Sequence, residues 1–290
     1  MKTQIILALA TIALLNGPVA YGQARVTQPE VSERACPVEI IEAPTSDKQK
    51  AMAVIRKPPG KGPFPAVVFL EGGMGRKNLA RGVDGRKEVS LHGQQYSRFL
   101  AAGYVTVSPM RRGSKRDPQS PDSVTDILAV VEAVKKIPEV DPKSVVVFGN
   151  SGGSSFGLDL AVETGLCAVA AGEPASVLFT GMFSKENRDL DEIMKEPQRF
   201  YTAELQKRTR EKIARINCPI LIAHGDQHPI NKVNDEILIP ELKRAGKKLE
   251  VIHYPGQPHS FYFGGKGTEE ASRKAFDLSL IHISEPTRPY

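Results

Sequence analysis

The chain has 290 residues, a net charge of +6 and three cysteines. That length suits one large domain or two small ones and buries a core without staples, so a disulfide-built scaffold is excluded. Hydrophobic residues are 40% and charged residues 25% of the chain, which excludes wholesale disorder, collagen and a polytopic membrane protein; no basic block interleaves with aromatics, so nucleic acid is not an expected partner.

The chain opens on Lys2 and the apolar run Ile5 to Leu15. The run is too short to span a bilayer, and with the small-residue site Gly22-Gln23-Ala24 it reads as a cleavable secretory signal over residues 1–24. A secreted or periplasmic protein is expected, without stable membrane insertion once the signal is removed. Cys36, Cys167 and Cys218 then meet an oxidising compartment. A Cys36–Cys218 bridge is open, and an odd count leaves at least one thiol unpaired within a single chain.

Apolar runs of strand length follow in order. They are Ala66 to Leu70, Tyr104 to Val107 (ending before Pro109), Val145 to Phe148, Cys167 to Ala171, Ile220 to Ala223 and Leu249 to Tyr254, most of them closed by glycine. Runs without polar alternation indicate strands buried on both faces, as in a parallel sheet covered by helices. Between them, Asp122 to Lys136 sets Val124, Ile127, Leu128, Val131 and Val134 on one apolar face. Further helices are expected over Ser154–Thr164 and Glu236–Ala245, stopped by Gly165 and Gly246. Alternating strand and helix predicts a doubly wound, mostly parallel α/β sheet. The charged helical stretch at about 183–215 is expected to be a small lid insertion. Helical pattern resumes at Thr268 and is expected to end near Asp277. The tail at 278–290, LSLIHISEPTRPY, resembles translated sequencing-adapter read-through and is set aside as non-native, which leaves one domain over 25–277.

The chemistry centres on Gly149-Asn150-Ser151-Gly152-Gly153, a G-x-S-x-G motif between a strand and a helix. Small flanking residues let the chain turn tightly enough to expose the serine oxygen. The Gly152 N–H, at the helix start, then faces a developing oxyanion. No His/Cys/Asp group has metal-ligand spacing. His224 and His228 are four apart but lie in a loop, so neither metal nor cofactor is expected.

Four segments carry a family resemblance: FLEGGMGR at 69–76, VDPKSVVVFGNSGGSSFG at 140–157, CPILIAHGDQHPI at 218–230 and VIHYPGQPHSFYF at 251–263. The chain resembles the α/β-hydrolase superfamily, in particular its dienelactone hydrolase and prolyl oligopeptidase-like group, over most of residues 50–277. The resemblance implies Ser151 as nucleophile, where true dienelactone hydrolases carry cysteine, and His259 as base, in the order Ser, acid, His. It implies a second oxyanion donor in the loop after the first strand of the pattern, at Gly73 or Met74.

The acid is ambiguous. The group's usual pattern H-G-x-x-D reads His224-Gly225-Asp226-Gln227-His228 here, with histidine where the carboxylate belongs. Asp226 is the first candidate and Glu173, just after the strand that follows the nucleophile helix, is the alternative; Asp235 is a remote third. The implied function is a secreted serine hydrolase acting on a small ester, most simply a carboxylesterase, or on a short peptide. A different class, an inactive hydrolase fold used for binding, is motivated by His228.

Overall fold

The computed structural model describes residues 36, 38–72, 98–110, 121–184, 187, 189–261 and 269–284. Eight strands form one sheet: β1 (Glu39–Pro44), β2 (Lys50–Arg56), β3 (Phe64–Leu70), β4 (Val105–Met110), β5 (Val140–Asn150), β6 (Ala168–Gly172), β7 (Ile220–Gly225) and β8 (Leu249–Tyr254). Their order is β1-β2-β4-β3-β5-β6-β7-β8. The β1–β2 and β2–β4 pairs are antiparallel, and the remaining pairs are parallel.

Nine α-helices are described: α1 (Pro121–Val134), α2 (Gly152–Glu163), α3 (Ser176–Phe179), α4 (Leu190–Lys195), α5 (Pro197–Phe200), α6 (Ala203–Arg215), α7 (Ile230–Val233), α8 (Ile239–Arg244) and α9 (Glu269–Ser284). A π-turn, Asn234–Leu238, joins α7 to α8.

The unbroken apolar runs behave as strands sandwiched between helices. Val68, Leu70, Val147, Val169, Ala171, Ile220 and Ile222 pack on one face with Ile127, Val131, Leu158 and Leu160 of α1 and α2. Their sequence neighbours Val67, Phe69, Val146, Phe148, Ala168, Ala170, Leu221 and Ala223 pack on the other with Phe99, Phe261 and Ala271 and Ala275 of α9. Successive strand side chains point to opposite faces, so a continuous apolar run fills both layers. Each fully buried Val or Leu contributes about 1.5–3 kcal/mol.

Two local expectations are corrected, and the question of a bridge is answered. β4 runs on through Pro109, which lies opposite Ala53 of β2. Pairing with β3 stops at Val107, so beyond it β4 is an edge on that side and tolerates the missing N–H. The last helix does not stop at Asp277 but continues to Ser284, with buried Ser279 donating its Oγ–H to the Ala275 carbonyl at 2.6 Å. No disulfide forms: Cys36, Cys167 and Cys218 are all free thiols, Cys36 and Cys218 buried.

The stretch between β6 and β7 is helical, as expected at 183–215, and α6 is anchored to the body. Arg210 grips the buried Glu241 of α8 with two N–H groups, Nε at 2.9 Å and Nη2 at 3.0 Å. Arg244 bonds the same carboxylate at 2.8 Å. Lys212 pairs with Asp159 of α2 at 2.6 Å and Arg215 with Glu163 at 3.1 Å.

Candidate active site

The sheet delivers the site at the C-terminal ends of β5, β6, β7 and β8, where open α/β sheets bind ligands. β5 ends in Asn150, and α2 begins at Gly152. Ser151, between them, has φ 52° and ψ −120°, a left-handed conformation that costs a non-glycine residue about 1–3 kcal/mol. The surroundings hold it there. Its N–H donates to the Gly172 carbonyl at 2.9 Å, and its carbonyl accepts from Ser154 and Ala175 N–H at 3.1 and 3.0 Å.

The motif's glycines are required by close approach. A Cβ on Gly153 would sit 1.9 Å from the Leu70 carbonyl oxygen, and one on Gly149 2.7 Å from the Ser154 Cα. Gly72 lies so close that its Cβ would be 3.0 Å from that of Ser151, so the loop after β3 abuts the nucleophile turn. As first residue of α2, Gly152 has an N–H with no intrahelical acceptor. Gly73 and Met74 lie outside the described residues.

His259 follows β8 in the Pro255-Gly256-Gln257-Pro258 loop. Its Nδ1 is 3.5 Å from Glu173 Oε2. Glu173 is fully buried, at a φ of 45°, one residue past the end of β6. Its own N–H donates to the Ala223 carbonyl at 2.8 Å, fixing it against β7. The carboxylate accepts from Gly225 N–H at 3.4 Å, from Ser260 N–H, and from the Asn231 side chain. Burial nevertheless pushes its pKa up from 4.5 to about 7, against the pull of those three donors.

The other acid candidates lie elsewhere. Asp226 is exposed; its Oδ1 accepts from Gln227 Nε2 at 2.7 Å and from Gly256 N–H at 2.9 Å, joining two loops. The Gln227 bond, aided by Gly256, holds its pKa below the usual range. Asp235 approaches His224, 3.4 Å from its Nε2. His228, at the position where the acid was expected, lays its ring on that of His259 with centroids 4.4 Å apart and planes tilted by 32°. Its Nδ1 accepts the Ile230 N–H at 3.1 Å.

One residue that the sequence reading left without a role bridges the two halves. Asn150, inside the motif, donates from Nδ2 to Ser260 Oγ at 3.1 Å. The nucleophile turn is thereby tied to the residue after His259. Its place beside Ser151 was the available signal; its partner was not.

A profile of the dienelactone hydrolase family matches residues 52–280. No curated protein matches the sequence. Among solved structures, an esterase of Pseudomonas putida is 17% identical, with 96% of this chain and 89% of that one covered and a TM-score of 0.63. Esterase 2 of Thermogutta terrifontis is 19% identical, with 86% and 94% covered and a TM-score of 0.61. Acylaminoacyl peptidase of Pyrococcus horikoshii is 14% identical with a TM-score of 0.65, and 88% of this chain covers 42% of that larger one. At these identities the likeness is one of fold.

Proposed function

The chain belongs to the dienelactone hydrolase family and has the α/β-hydrolase fold, and from that premise we propose a serine hydrolase that cleaves small carboxylic esters through Ser151, His259 and Glu173. The observation that carries the proposal is the buried Glu173 carboxylate 3.5 Å from His259 Nδ1, on a scaffold that also strains Ser151 into a tight, half-buried turn. Ser151 Oγ attacks the acyl carbon while His259 takes its proton; Glu173 holds the imidazole in register and stabilises the cation that forms. The oxyanion accepts from Gly152 N–H, and from the amide of Gly73 or Met74 by family resemblance. His259 then protonates the leaving alcohol, and water, deprotonated by His259, releases the acid from the acyl-enzyme.

Glu173 takes the role first given to Asp226. An acid partner for His259 also favours catalysis over the inert binding role that His228 suggested. Hydrolysis of short peptides is the second reading, favoured by the likeness to acylaminoacyl peptidase. The leader at residues 1–24 would put this activity outside the cytoplasm, and N-terminal sequencing of exported protein should begin at Arg25. No helix of the described residues is long and apolar enough to cross a membrane.

A fluorophosphonate probe tests the mechanism; the Thermogutta esterase has been seen phosphonylated by sarin. Wild type should label at Ser151, and Ser151→Ala should not. Absence of labelling in folded wild type rejects the hydrolase reading. Short-chain nitrophenyl esters should turn over faster than acyl-aminoacyl anilides, and the reverse order favours the peptidase.

A further inference from the structure

A second cluster lies beside the candidate active site and takes no part in the chemistry above. His224 at the end of β7 and His253 on β8 are register partners, so their side chains stand on the same face of the sheet. Their ring centroids are 4.1 Å apart. Asp235, on the π-turn that follows α7, brings its carboxylate to the same place. One donor atom from each of His224, Asp235 and His253 lies within 4.8 Å of the others.

The arrangement contains an electrostatic gap. His224 is buried, 1% exposed, and its Nδ1 lies 3.2 Å from the Gly225 carbonyl oxygen. A carbonyl only accepts, so Nδ1 carries a proton, and Nε2 is the ring nitrogen turned toward the cluster. Nε2 makes no hydrogen bond. It faces Asp235 Oδ1 at 3.4 Å, and with the ring neutral two electron-pair donors point at one another. A cation between them resolves the opposition.

The bond from the second ring nitrogen to a backbone carbonyl is also how metal-ligating histidines are oriented. The cluster is braced from behind. Asn231 Nδ2 donates to the same Gly225 carbonyl at 2.8 Å, Asn234 Nδ2 to Asn231 Oδ1 at 3.1 Å, and Ser176 Oγ to Asn234 Oδ1 at 2.6 Å. That chain of bonds pins the π-turn that carries Asp235, and π-turns recur at functional sites.

We propose that His224 Nε2, Asp235 and His253 form a binding site for one divalent transition-metal ion, zinc by preference, with water completing the coordination. Two imidazoles and one carboxylate suit Zn²⁺, Co²⁺, Ni²⁺ or Cu²⁺ and not the oxygen-seeking Mg²⁺ or Ca²⁺. Tetrahedral zinc at ~2.0–2.1 Å from each ligand needs donor separations of about 3.3 Å. Rotation of the exposed Asp235 and His253 side chains about the fixed His224 supplies that contraction. The ion would join β7, β8 and the π-turn next to Gly225, whose N–H reaches Glu173. Sequence spacing hid the set because the three residues lie far apart in the chain and meet only through strand register and the π-turn.

Isothermal titration of the metal-free full chain with zinc chloride at neutral pH tests the site. One tight equivalent is expected, and Mg²⁺ should give no heat of binding. His253→Ala and Asp235→Asn, both at exposed positions, should each weaken zinc at least about tenfold, the scale on which even supporting residues act. Co²⁺ should give visible absorption bands in wild type that both variants lose. His228→Ala, which alters the histidine pair beside Glu173, should leave the zinc affinity unchanged. No uptake by wild type overturns the proposal. So does wild-type affinity in both ligand variants, or loss of the tight equivalent in His228→Ala alone.

Discussion

Glu173 is a carboxylate held where carboxylates are costly to hold. It is fully buried, and its partners are neutral donors and the His259 ring. Such a group is retained where its charge is used, at the moment an imidazolium forms beside it. Glu173→Gln should therefore lower kcat for ester hydrolysis by about 10²–10⁴, on the scale seen when a triad acid is replaced by its amide. Asp226→Asn keeps the oxygen that Gln227 and Gly256 use and should leave kcat within about twofold. Steady-state kinetics on one ester decides between them, and the opposite pattern returns the role to Asp226. The difference between these carboxylates also marks how far the sequence was readable at this scale. Ser151 and His259 announce themselves through neighbours along the chain. The acid is chosen across the sheet: Glu173 reaches His259 because its N–H is fixed to Ala223 of β7 and its side chain passes over Gly225 to the loop after β8.

The nucleophile turn works as an element only because β5 and α2 meet the end of β3 without side chains between them. Gly153→Ala puts a methyl 1.9 Å from the Leu70 carbonyl. Backbone must move there, and overpacking of this kind costs about 1–3 kcal/mol or more. Gly165 is a fair control, since a methyl there meets nothing within 4 Å. Thermal unfolding should show a lower midpoint for Gly153→Ala and little change for Gly165→Ala. Most elements were legible for a related reason: β3 and β5 to β8 are apolar runs, and most stop at glycine. β1 and β2 were not. β1 is an outer strand with mostly exposed or half-buried residues, including Glu39, Ile40 and Glu42, so it lacks the run that marks a strand covered on both faces. β2 begins in charge and alanine, and its place beside β4 depends on antiparallel pairing that no local pattern encodes.

For the molecule as a whole, the raised Glu173 pKa is a statement about stability. The unfolded chain gives up this proton near 4.5, and the fold keeps it until about 7. The native state thus binds the extra proton across that window, and stability falls as pH rises through it, with the loss complete above about 7. Glu173→Gln does not titrate. The stability difference between wild type and this variant, from urea unfolding, should therefore shift in the variant's favour by about 2–3 kcal/mol between about pH 5 and pH 8. A difference that stays flat with pH would overturn the raised pKa of Glu173. The fastening of α6 has a mechanical consequence. Swinging this helix outward would break the Arg210–Glu241, Lys212–Asp159 and Arg215–Glu163 pairs together, while Arg244 would still neutralise the buried Glu241. α6 is thus carried as part of the body, tied to α2 and α8 by ion pairs at Asp159, Glu163 and Glu241, rather than as a hinged flap.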